Sequence, residues 1–154
     1  MTTFDPTPAT NTEPAPDFPA LIALLDDECG TLRAFVIALD EEQLMLSRSA
    51  DIGALPAIIA RKSELYGRLN MLDKARGTWL NGNRLADMTD TATRSPEVGE
   101  RWAHVVALAK TARRTNETNG RLVRTRMTYN KSALDAIRGA HGTAPTVYGA
   151  DGRF

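Results

Sequence analysis

Residues Pro96 to Arg138 read PEVGERWAHVVALAKTARRTNETNGRLVRTRMTYNKSALDAIR. Starting at Trp102 and stepping alternately four and three residues gives Val106, Ala109, Arg113, Asn116, Gly120, Val123, Met127, Asn130, Leu134 and Ile137. Seven of these eleven positions are apolar, the period of one face of an α-helix. Asn119 followed by Gly120 could make a hairpin turn. The spacing stays in phase across the pair, however, and no alternating strand pattern flanks it, so one helix is expected from about 96 to 138. Ser95 can cap its start, with Pro96 at the first helical position, where a missing N–H has no intrahelical partner to lose.

Two further seams lie upstream. Phe18, Ile22, Leu25, Cys29, Leu32, Val36, Leu39, Gln43 and Leu46 are spaced in the same way, and eight of the nine are apolar. This predicts a helix over about 18–48, with Asp17 as its N-cap. A second helix, over about 52–81, carries the seam Leu55, Ile58, Lys62, Leu65, Leu69, Leu72, Arg76 and Trp79, widened by Ile59, Tyr66 and Leu80. Its start lies within a turn of Pro56, with Ser49 or Asp51 as candidate caps, and Asn81, Gly82 and Asn83 close it. Residues 84–96 have no apolar period and read as a long loop. Five prolines among the first 19 residues mark 1–17 as a disordered acidic tail, and the Gly-rich exit after Gly139 marks 139–154 as a flexible C-terminal tail. The expectation is an all-α chain: an elongated antiparallel three-helix bundle of coiled-coil character over 18–138, flanked by two tails.

Composition narrows the function. Across 154 residues, Lys plus Arg and Asp plus Glu balance at 19 each, and aromatics are 6%. The charge is uneven along the chain: residues 18–100 hold 9 basic and 13 acidic side chains, net −4, and residues 101–154 hold 10 and 3, net +7. Pairing of an acidic first helix with a basic third one accounts for that division. The basic side chains Arg113, Arg114, Arg121, Arg124, Arg126, Lys131 and Arg138 read as scattered around the helix, with no aromatic platform beside them, so no nucleic-acid partner is expected. The first residues lack the basic and apolar regions of a secretory signal, and no run approaches a membrane span, which points to a cytoplasmic protein without stable membrane insertion.

No phosphate loop, dinucleotide fingerprint or nucleophile-elbow motif occurs. His104 and His141 have no sequence-local carboxylate or thiol cluster, and Cys29 falls on the first seam as a small core side chain. The carboxylates Asp26, Asp27, Glu28 and Asp40, Glu41, Glu42 are consecutive on a helix and point in different directions, so they form no acid–base dyad. No enzyme activity, metal or cofactor is expected. The third helix is the informative element. Asn116, Asn119 and Gly120 either fix register at a close helix crossing, or mark a loosely held segment that offers Leu122, Val123, Met127, Leu134 and Ile137 to a partner helix. A self-associating coiled-coil adaptor is the alternative use of such a surface.

At these residues the sequence resembles the FlgN-type flagellar export chaperones. The resemblance rests on Glu100, Arg101 and Trp102 opening the third helix, on N-x-x-N-G at Asn116, Asn119 and Gly120, and on the terminal run from Val147 through Tyr148 to Gly152. Glu41, Glu42, Leu46 and the step from Lys62 to Leu65 match in kind, and the resemblance spans about 20–152. It implies a small helical protein that binds the C-terminal helical segments of hook-filament junction proteins, prevents their premature assembly and delivers them to the flagellar export gate. It further implies that Asn116, Asn119 and Gly120 mark the client-binding helix and that Tyr148 docks on the cytoplasmic domain of the gate. The Pro-rich N-terminal extension lies outside the family pattern.

Overall fold

The computed structural model describes residues 15–48 and 53–142, and these are helical apart from short connections. Four helices follow in order: α1 (Phe18–Ser47), α2 (Leu55–Gly82), α3 (Met88–Arg94) and α4 (Pro96–Gly142). Two of the expected caps form. Asp17 accepts from the amide of Ala20 at 3.1 Å, and the Ser95 hydroxyl from that of Val98 at 3.4 Å. Ser49 and Asp51 lie outside the described residues, and α2 starts from Ala54 without a side-chain cap, Pro56 occupying its first turn. At the other end of α2, Arg84 has φ 54°, and the amides of Arg84 and Leu85 bond back to Asn81 and Leu80. This is the two-bond helix stop usually built on glycine.

Two expectations are corrected. The segment expected to be a loop over 84–96 contains α3, a seven-residue helix whose N-cap Asp87 accepts from Asp90 at 2.8 Å. Two turns are too short to show a period, so the apolar Met88 and the Thr91 it buries gave no signal in the sequence. Gly99 lets α3 fold back on α4, because a Cβ there would stand 3.2 Å from the Ala92 carbonyl oxygen. The third predicted helix runs through Gly142 instead of stopping near 138, so Gly139 is helical and not the start of a tail.

α1 lies between α2 and α4. Pairs such as Asp27 with Arg68 and Glu42 with Lys62 run in opposite senses along α1 and α2, which makes these helices antiparallel. Cys29 beside Arg101, and Asn119 beside Leu39, make α1 and α4 parallel. The apolar core sits at the α3 end, where Leu21, Leu25, Cys29 and Leu32 meet Met88, Val98 and Val105. Nearer the opposite end, Leu39, Leu46 and Ile58 are buried but the α1–α2 seam is crossed by charge.

The two cations read in the second seam decide how that crossing works. Arg76 pairs with Glu28 and lies 4.7 Å from the Trp102 ring centroid, while Lys62 Nζ donates to Glu42 at 2.6 Å and reaches Asn116 Oδ1 at 3.5 Å. Within each helix the partners of one layer lie fourteen residues from those of the other: 28 and 42, 62 and 76, 102 and 116. Four turns of helix separate equivalent faces, so one register satisfies both layers, and a slip by one turn would leave buried charges unpaired.

Candidate functional site

The phase of α4 divides its residues between two neighbours. Val98, Val105, Ala112 and Asn119, seven apart, are buried on the α1 side. Trp102 and Asn116, from the expected seam, instead face α2. Asn119 is committed to the interior, 2% exposed, and its amide donates to the Leu39 carbonyl and to Glu42, each at 2.8 Å. Its Oδ1 is buried without a donor. One Asn therefore joins α4 to the Glu42–Lys62 pair and ties three helices at one level.

A close helix crossing at Gly120 is not what the structure shows. A Cβ there would meet only the far end of the Arg124 side chain, at 3.6 Å, an ordinary contact. Gly120 therefore carries the helix-interior penalty of glycine without a packing reason. Gly120→Ala is expected to raise stability by about 1 kcal/mol, read as a shifted midpoint in urea with unchanged slope; no shift would mean that the glycine backbone is under a constraint this packing does not reveal.

Arg126 marks the end of the packed region. Its guanidinium donates to the carbonyl oxygens of Met45 and Arg48, capping the C-terminus of α1, where a cation also suits the helix dipole. Beyond it α4 runs past the end of α1. Every residue from Met127 to Ala140 is exposed, and the sixteen residues to Gly142 extend about 24 Å at the helical rise. Continuing the four-and-three steps, Val123 at its base and Met127, Leu134 and Ile137 along this projection form a stripe, exposed by 38%, 66%, 53% and 55%. Tyr129, 73% exposed, lies to one side of the stripe. A lone apolar side chain in water is ordinary, but a stripe broken only at Asn130 on one projecting helix is the pattern of a surface that suits a partner helix.

The residues singled out in the sequence thus fall into separate groups. Val123, Met127, Leu134 and Ile137 share the exposed stripe, Leu122 is half-buried at its base, Asn116 meets Lys62 of α2, Gly120 is half-buried, and Asn119 faces inward. Tyr148 lies outside the described residues. Arg126 was read only as one of the scattered basic side chains, and its position opposite the end of α1 gives it a capping role.

Elsewhere the structure offers little chemistry. No group of three or more His, Cys, Asp or Glu among the described residues is placed to hold a metal ion. Burial holds the Cys29 thiol above its usual pKa, which disfavours the reactive thiolate, and its Sγ lies 3.9 Å from the Arg101 carbonyl oxygen. His104 is exposed beside Arg33 in a shallow groove of about 260 Å³ between α1 and α4. Among the described residues no helix is long and apolar enough to cross a membrane.

Comparison with known proteins places this sequence among relatives. The family model described as FlgN protein matches residues 17–153. The flagella synthesis protein FlgN of Yersinia enterocolitica is 28% identical over 116 residues, covering 75% of this chain and 76% of the relative. Its namesake from Proteus mirabilis is 27% identical over 132 residues, covering 86% and 83%. No solved structure matches the chain.

Proposed function

Because the chain belongs to the FlgN protein family, we propose that it serves flagellum assembly as a cytoplasmic export chaperone, binding the C-terminal helical segments of hook-filament junction proteins on the projecting part of α4. The observation that carries this reading is the stripe of Val123, Met127, Leu134 and Ile137, which stays in helical phase after α1 has ended. A client segment that is disordered alone folds against the stripe as an amphipathic helix. The apolar side chains that drive its own polymerisation are then removed from water. Ordering the client opposes binding by roughly 2 to 5 kcal/mol, which keeps the complex releasable at the export gate. No nucleotide, metal or other cofactor is required for masking of this kind, and the reading assigns no catalysis.

Titration calorimetry with the C-terminal segments of the junction proteins tests this. A one-to-one complex with a negative heat-capacity change is expected, the mark of apolar burial; no heat with any junction segment, from folded protein, removes the reading. A self-associating coiled-coil adaptor is the second reading, favoured by the same stripe, since a second copy could cover it. Light scattering separates the two, because the adaptor is a stable oligomer without client and the chaperone is not.

In this reading Tyr148 docks the loaded chaperone on the cytoplasmic domain of the export gate, a Tyr side chain offering a large amphipathic contact with few rotatable bonds. Tyr148→Ala is expected to leave client affinity unchanged while weakening pull-down of the gate domain about tenfold or more. Equal loss of both interactions would assign the tail a different task.

A further inference from the structure

The exposed stripe has two unlike edges. On one side Tyr129, Ala133, Ala136 and Ala140 are apolar. On the other, Arg124, Lys131 and Arg138 stand one residue after Val123, Asn130 and Ile137, seven residues apart and all exposed. Seven residues fall about 20° short of two full turns, so the three cations form a nearly straight line beside the stripe, about 10 Å between neighbours. The sequence reading of scattered basic residues therefore holds for α4 as a whole but not for this part. Asp135 is the only carboxylate between residues 118 and 142, and none of the three cations forms an ion pair within the described residues. The contrast with the rest of the molecule is direct: Arg61, Lys62, Arg68, Arg76 and Arg101 are all paired with carboxylates of α1.

We propose that this edge selects the partner by charge: the helix that covers the stripe carries carboxylates along one flank at seven-residue spacing, opposite Arg124, Lys131 and Arg138. The proposal rests on the reading of the projecting α4 as a client surface. Apolar burial supplies attraction without choosing orientation, because a stripe of Val, Met, Leu and Ile accepts any apolar face. A line of cations on one edge only makes one orientation of an acid-flanked helix favourable and repels a base-flanked one. A nucleic acid fits less well, since phosphates would satisfy the cations and leave the adjoining apolar stripe in water.

Two designed peptides, each a four-turn helix with the same Leu stripe, test the proposal. One carries Glu and the other Lys at seven-residue spacing on the flank, and both are titrated into the full chain beside the junction-protein segments. The Glu-flanked peptide is expected to bind about tenfold or more tightly than the Lys-flanked one at low ionic strength. The difference should shrink at about 0.5 M salt, where exposed charges are screened. The triple variant Arg124→Glu, Lys131→Glu, Arg138→Glu should reverse the preference, and its circular dichroism should match the parent because all three side chains are exposed. Equal affinity for the two peptides, or an unchanged preference in the triple variant, overturns the proposal. Salt-sensitive capture of duplex DNA that outcompetes the Glu-flanked peptide also overturns it. Should the Glu-flanked peptide bind with the expected preference while every junction segment fails, the proposed client is wrong and the charge selection stands. Binding of the junction segments with no discrimination between the peptides keeps the client and overturns the charge selection, and silence from all probes removes both.

Discussion

Replacing Glu42 by Ala lowers the unfolding free energy by about 3 kcal/mol or more, a loss outside the ordinary range for a single polar substitution. Glu42 is 7% exposed, accepts from Lys62 and from the Asn119 amide, and is the point at which α1, α2 and α4 share one polar layer. Its removal leaves the ammonium of Lys62 in a half-buried seam with only the longer contact to Asn116, and strips one acceptor from a side chain that is almost wholly enclosed. Denaturant unfolding of the variant measures the effect. The matching experiment replaces Glu42, Lys62 and Asn119 together by Leu. Most of the lost stability should return, because an apolar layer has no buried group to leave unpaired. If Glu42→Ala unfolds at the parent's midpoint, the layer does not hold the helices together. What the layer gives beyond stability is register, because a slip that an apolar layer would accept leaves these charges unpaired.

Met127→Asp combined with Leu134→Asp has the opposite profile. Both side chains are more than half exposed and lie beyond the end of α1, so the unfolding free energy should change by no more than about 0.5 kcal/mol. Binding of a junction-protein segment should weaken about 100-fold or more, because each carboxylate would be buried in an apolar contact without a partner. Isothermal titration of the folded variant gives the answer. Parent-like affinity would show that the client lies elsewhere. The two experiments separate a residue that holds the protein together from residues proposed to meet a client, although Asn119 and Met127 lie only about two turns apart on one helix. Asn119→Ala belongs with Glu42→Ala: its effect on client binding should follow its effect on folding.

Much of the fold could be read along the chain. The eight seam positions of α2 from Leu55 to Trp79 are all buried or half-buried, while Ile59 and Tyr66, expected to widen the stripe, stay exposed. For α1 the seam was too narrow: Leu21, Glu28, Ala38 and Glu42 are buried as well, because the helix is covered on two sides by α2 and α4. The candidate site was half legible. Its apolar positions came from spacing, but the division between Asn119 inside and Met127 outside did not. Nor did the order in the cations from Arg124 to Arg138, which emerges only when they are set against the stripe they flank.

The sequence alone determined the three long helices, because a period of apolar residues, a capping Asp or Ser and a Pro in the first turn act within a few residues of one another and need no distant partner. Tertiary structure alone decided which flank of α4 faces α1 and which faces α2, that Lys62 and Arg76 meet Glu42 and Glu28, and that α4 runs on after α1 has ended at Arg126's cap. These depend on the relative lengths and register of separate helices. A heptad pattern is the same whether a neighbour covers it or not, so the residues that fold the protein and those offered to a partner share one sequence period and differ only in what lies opposite them.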